Sequence, residues 1–255
     1  MNAKALLPLT ALLISPSLLA DDWPDFDRPG ILFAADVLPT GVWSLELGVP
    51  EISRTTSGQD RITAAELHSM LRFGFIENWE LQLDMAPYIR ERINTAEGAI
   101  TQNGYSDARV GLRYDASVGM ADWFHADAVA LQAGVTLNSG HADFTESDNE
   151  VDLGIVASWQ LTADGHEVDA MLQWLGSSSN STWFIASTYG APIINNMSAF
   201  IEVGAWFGDL DATVAGAGVI WRPSAGFQVD SYVLQRLSGE IADTQLGLGV
   251  SWMFF

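Results

Sequence analysis

The chain has no cysteine and a single lysine, and beyond its first twenty residues it has no apolar run near the eighteen that a membrane-spanning helix requires. Without thiols there is no disulfide and no thiolate metal site, so packing and backbone hydrogen bonds must hold the chain together. Ten arginines and Lys4 stand against 32 acidic residues, for a formal charge of -21. That balance offers no basic patch to neutralise phosphates, and nucleic acid is excluded as a partner. No glycine-rich phosphate loop, catalytically spaced carboxylate pair or His/Cys cluster occurs, so neither cofactor nor metal is expected. Five carboxylates crowd Asp143, Glu146, Asp148, Glu150 and Asp152. They lack the fixed spacing and central glycine of an EF-hand loop, and read as a solvated acidic loop.

What is present begins with a leader. Residues 1–20 carry one charge, Lys4, then an apolar stretch from Ala5 to Leu19, with small Ala20 before Asp21 and Asp22. That is the pattern of a secretory signal peptide. Residues 21–40 are expected to form a periplasmic N-terminal segment and residues 41–255 the folded body.

Hydrophobic residues make up 48% of the chain, with ten Trp and twelve Phe, which is high for so acidic a protein. Those side chains need an apolar environment, and their spacing says which. Trp79, Leu81, Leu83 and Met85 alternate with Glu80, Gln82, Asp84 and Ala86, a period of two that no helix face can gather. Similar alternation runs through 66–75, 107–114, 129–138, 150–161 and 168–174, with further segments at 41–50, 182–190, 197–207, 212–221, 226–235 and 243–254. About twelve strands result. Longer polar loops (51–61, 93–104, 139–148) alternate with short turns (76–78, 162–166, 222–225), the asymmetry of outer-membrane barrels; 115–128 is long on the short-turn side. The expected fold is all-β, a transmembrane antiparallel β-barrel with both termini periplasmic. Its place is the outer membrane of a Gram-negative bacterium, reached by secretion to the periplasm.

The chain ends in LGLGVSWMFF, with Leu246, Leu248, Val250, Trp252 and Phe254 on one face. This resembles the closing-strand signal of outer-membrane proteins, which makes the assembly machinery a partner beside outer-membrane lipid. Trp43, Trp79, Trp159, Trp174, Trp221 and Trp252 fall near strand ends or on apolar faces, as interfacial girdles do.

Further residues carry a family likeness: Asp27, Arg28, Pro29 and Gly30; Pro39, Gly41, Trp43, Leu45, Glu46 and Gly48; Leu71, Arg72, Gly74, Trp79, Glu80 and Leu81; Gly104, Asp107, Gly111, Leu112, Arg113 and Tyr114. In these the chain resembles the meta-pathway phenol-degradation family of outer-membrane transporters, with Arg113 where that pattern has lysine. The resemblance implies a porin-like channel for passive passage of small molecules, apolar or aromatic ones among them. The small-molecule solute is then a further partner.

With the apolar face of each strand outward, Glu46, Glu66, Arg72, Glu80, Asp84, Arg90, Asp107, Arg109, Arg113, Glu202 and Asp230 are expected to line the lumen. Twelve strands stand between the side-chain-filled barrel of eight and the open channel of sixteen, so a narrow pore is expected. Arg72, Arg109 and Arg113 facing carboxylates would form its constriction, or else structural ion-pair ladders in a plugged lumen. A barrel enzyme acting on lipids is the rival from another class. Its one in-strand histidine, His68, points away from neighbouring Ser69, so no catalytic residue is assigned. A purely structural outer-membrane barrel is the remaining alternative.

Overall fold

The computed structural model describes residues 23–255, so the expected leader lies outside the described residues. Thirteen strands and one short helix follow in chain order: β1 (Trp43–Ser57), β2 (Asp60–Ile76), β3 (Trp79–Thr95), β4 (Gly98–Gly104), β5 (Ala108–Asp115), α1 (Ser117–Phe124), β6 (Ala128–Leu137), β7 (Glu150–Gln160), β8 (Glu167–Gly176), β9 (Ser181–Ile194), β10 (Met197–Gly208), β11 (Ala212–Ser224), β12 (Phe227–Gly239) and β13 (Thr244–Phe254). Every pairing is antiparallel, and β1 pairs with β13, Trp43 opposite Phe254, which closes the sheet. The barrel has twelve strands and one extra. β5 pairs with the first half of β3 and β4 with its second half, so β4 and β5 act as one strand broken at residues 105–107. β1 begins and β13 ends at the same rim, as an even-stranded meander requires.

The barrel is built inside out relative to a soluble protein. Arg72, Glu80 and Arg113 on the inner face are fully buried, whereas Leu153 and Leu248 on the outer face are 51% and 56% exposed. Only a lipid environment makes that distribution favourable, since each exposed apolar side chain would otherwise cost about 1.5–3 kcal/mol in water. Near the terminal end, Trp43 stacks on Phe73 with centroids 4.1 Å apart, and Trp79 packs on Tyr114 at 4.7 Å. With Trp159, Trp221 and Trp252 they ring that rim.

Two expected loops are strands. Residues 51–57 and 60–66 extend the β1–β2 hairpin, closed by a two-residue turn in which Gly58 has φ +62°. Residues 93–104 hold the β3–β4 hairpin. Both extensions carry polar residues on both faces, so they lose the alternation that marks a lipid-facing strand. The loop expected at 139–148 lies between β6 and β7, and α1 occupies the long connection near 115–128.

The periplasmic location expected of residues 21–40 does not hold for the described part. The segment enters the barrel: Phe26 and Leu38 pack with Val42 and Met253, and Phe33 and Ala35 pack with Ala130, Val156, Met171, Phe184 and Ala186 of the inner wall. Burying three aromatic or large aliphatic side chains favours that position over a hydrated tail by several kcal/mol.

Candidate functional site

Residues 25–36 form a compact loop across the lumen. Its ends are tied by the Asp25 N–H donating to Asp36 Oδ2 (2.9 Å), and its middle by the Ala34 N–H donating to Asp27 Oδ1 (2.8 Å). The loop divides the lumen into two cavities. One, of about 310 Å³, opens toward the termini between Asp25, Asp36, Glu167, Asp169 and Arg222. The other, of about 350 Å³, lies on the far side between Glu51, His68, Asp84, Arg109 and Gln245. Asp27, Arg28, Leu32 and Phe33 line both.

One flank of the loop is held by guanidinium groups. Arg72 of β2 donates through Nε to Glu80 Oε1 (2.8 Å), through Nη2 to Glu80 Oε2 (3.0 Å) and through Nη1 to Glu46 Oε1 (3.1 Å). Its remaining capacity goes to the loop, to the carbonyls of Asp25 (3.0 Å) and Asp36 (3.2 Å). Arg113 of β5 grips the Asp27 carboxylate with both terminal nitrogens, at 2.8 and 2.6 Å, and lies over the Phe33 ring. Such forked, charge-assisted pairs are roughly twice as strong as neutral hydrogen bonds and fix orientation as well. Arg28 reaches the other way, to Glu51 of β1 and to Asp230 of β12 (3.2 Å), while its carbonyl accepts from Gln228 (2.6 Å). The small wall residue Gly249 makes room for the Arg28 side chain.

The opposite flank meets the loop mainly through apolar contacts. Phe33 lies against the apolar cluster of β6 to β9, and a Cβ on Gly154 would stand 3.0 Å from its ring. Ile31 packs toward Phe200, Val214, Tyr232 and Leu234. Glu202 adds a hydrogen bond there, accepting from the Ile31 N–H at 2.9 Å.

Of the residues expected along the lumen, Arg72, Arg113, Glu46, Glu202 and Asp230 contact this loop, and Glu80 accepts from the Leu38 N–H just beyond it (3.0 Å). Arg109 instead forms a forked pair with Asp152 (2.7 and 2.8 Å), and Asp84 pairs with His68 (3.0 Å) above it. Glu66 sits in register with Glu51. Two placements are corrected. Asp107 stands at the rim, not on the wall, accepting from the N–H groups of Ser139, Gly140 and Glu146 and from the Thr145 hydroxyl. Burial raises its carboxyl pKa, but these four donors outweigh that and hold it below the usual carboxylate range. Arg90 lies beyond the irregularity between Leu67/Ser69 and their β3 partners, where extra residues reverse the alternation, and its side chain is exposed. Sequence reasoning missed Asp27, Arg28 and Glu51 as site residues; the Asp27–Gly30 run was the signal that marked the first two, and nothing marked Glu51. Ser69 donates to the Met85 carbonyl, and among the described residues no serine hydroxyl is hydrogen-bonded to a histidine.

The chain matches, over residues 26–254, the family described as "Putative MetA-pathway of phenol degradation". It belongs to that family. No curated protein matches it in sequence. Among solved structures, the COG4313 outer membrane channel from Pseudomonas putida F1 is similar with a TM-score of 0.70 at 15% identity, covering 89% of this chain and 99% of that one. The KdgM porin gives 0.53 at 11% identity, covering 83% and 99%. The translocator domain of autotransporter NalP from Neisseria meningitidis gives 0.55 at 12%, covering 86% and 91%. At these identities the likeness is one of fold, that of an outer-membrane barrel.

Proposed function

We propose that the barrel is a passive outer-membrane conduit for small apolar or aromatic molecules and that residues 25–36 are the element closing it. The observation carrying this reading is the pair of lumenal cavities on either side of that loop, both lined by its Asp27, Arg28, Leu32 and Phe33, with apolar contacts on its flank toward β6 to β9. A solute passing between the loop and the wall of β6 to β9 would cross an apolar constriction of Phe33, Met171 and Phe184, with Glu167 and Asp169 of the terminal-side cavity on one side and Asp152, paired with Arg109, on the other. Glu66, Arg72, Glu80, Asp84, Arg109, Arg113, Glu202 and Asp230 are the ionic part of the conduit wall in this reading, and Asp107 serves its rim. Family membership and the likeness to a channel and a porin support the reading. In the same proposal residues 1–20 are removed on export, and β13 is the strand read by the assembly machinery.

The test is conductance of the refolded protein in planar bilayers, together with uptake of phenol into vesicles. The closed loop should give little or no steady current. Arg28→Ala combined with Arg113→Ala removes its grip on Glu51, Asp230 and Asp27, and should open a steady conductance and speed uptake. Correctly folded variants that neither conduct nor take up phenol would sink the proposal.

A further inference from the structure

The helix α1 is not accounted for by the conduit. It lies on the outside of the barrel, in the connection between β5 and β6, where most turns on this side have only a few residues. Its placement is fixed at both ends. The Ala116 N–H donates to the Val129 carbonyl (2.8 Å), the Ser117 hydroxyl accepts from the Val129 N–H (3.0 Å), and the Trp159 indole donates to the Phe124 carbonyl (3.2 Å). Beneath it are Val129 and Ala157, which share the outward parity of Leu131 and Leu153 yet are buried at 0% and 5%. The helix therefore covers a patch of the surface that elsewhere faces lipid. Met120 and Ala121 make that contact, flanked by Tyr114 and Trp159 of the aromatic rim.

The other side of α1 has no protein partner within the described chain. Trp123 is 86% exposed and Val118 98%, with Phe124 partly so. An eight-residue helix showing tryptophan and valine to water would be unfavourable, and Trp prefers the boundary where an apolar ring and a polar N–H are both satisfied. The rim that α1 continues, through Tyr114 on one side and Trp159 on the other, is the barrel's own boundary with the membrane. Asp115, Asp122 and Asp127 along the same connection suit the hydrated side of that boundary and disfavour deeper insertion.

We infer that α1 is a membrane-interface anchor, seated among phospholipid headgroups of the periplasmic leaflet, and that Trp123 is the side chain entering them. It extends the aromatic girdle outward, holding the β5–β6 side of the barrel at a set depth. The occupant is the bilayer itself, because the surface is continuous with the lipid-facing wall.

The absence of cysteine makes the test direct. Single-cysteine variants Trp123→Cys, Leu153→Cys on the lipid-facing wall and Asp143→Cys in the β6–β7 loop are spin-labelled in full-length protein in vesicles of phosphatidylcholine and phosphatidylethanolamine. Collision rates with oxygen, which partitions into lipid, and with a water-soluble nickel chelate are then compared; heat-dependent gel mobility reports folding of each variant. The expected result at position 123 is oxygen access between that at 153 and that at 143, and nickel access several-fold below that at 143. Nickel access equal to that at 143 would overturn the inference, leaving the helix face to water or to a soluble partner.

Discussion

The two halves of the lumen hold the same loop by different physics. On the side of β1, β2, β3, β5 and β12, three arginines and five carboxylates, Asp27, Glu46, Glu51, Glu80 and Asp230, interlock with almost no exposure. On the side of β6 to β11, Phe33 and Ile31 rest on Ala130, Val156, Met171, Phe184, Phe200 and Val214. Ion pairs of this kind are directional and costly to leave half-made, whereas apolar contact is roughly proportional to area and indifferent to small rotations. The ionic half therefore sets where the loop sits, and the apolar half is where it can slide.

The largest expected effect comes from breaking the ionic half at its centre. Arg72→Ala takes from buried Glu46 its cation and from Glu80 the nearer of its two, Arg113 remaining at 3.7 Å, and should cost about 3–5 kcal/mol, read as a lowered urea midpoint of the barrel in vesicles. An unchanged midpoint would mean that water enters and solvates the carboxylates, and the contrast between the halves would fail. Arg113→Lys keeps the charge but not the fork on Asp27, and should cost about 1–3 kcal/mol. Its sharper signature is orientation: crosslinking between the loop and β5 should weaken while the barrel midpoint moves less than in Arg72→Ala.

On the apolar half, Phe33→Leu keeps hydrophobicity and much of the volume, so stability should fall by less than about 1.5 kcal/mol. Vesicle uptake of phenol should nevertheless rise, because the thinned contact is the one a solute must pass. Uptake unchanged with stability unchanged would place the route elsewhere. The smallest effect lies at the rim. Asp107 has a lowered carboxyl pKa in the folded protein, so its contribution is present above the usual carboxylate range and is lost as pH falls through the lowered value. Exchange of the Gly140 and Glu146 amides should accelerate only in strong acid, and in Asp107→Asn that step should be absent.

The barrel was legible because the membrane imposes its pattern residue by residue. Trp79 to Ala86 alternates since one neighbour meets lipid and the next the lumen, and no distant contact is needed to see it. Where that constraint stops, so did the reading. Residues 51–57 and 98–104 pair as strands without an alternating face, and only their partners reveal them. The inward positions of Arg72, Glu80 and Arg113 followed from parity, but the reason they are charged did not. Their partner Asp27 lies 86 residues from Arg113 in a segment without period, and Glu51 falls beyond a bulge that resets the face.

Arg28 meets Asp230 across 202 positions of chain, and the two strands that flank this contact, β1 and β12, are separated only by β13. This contact thus forms late, since Asp230 has no fixed place beside β1 until the sheet has curled and its final strand has joined the first. Bringing such remote residues together before the wall exists would carry the full entropy of closing that loop, and afterwards almost none of it. The doubly held Arg28 is in this sense a record of completed assembly: a barrel that had not joined β13 to β1 would hold its side chain through Glu51 without Asp230.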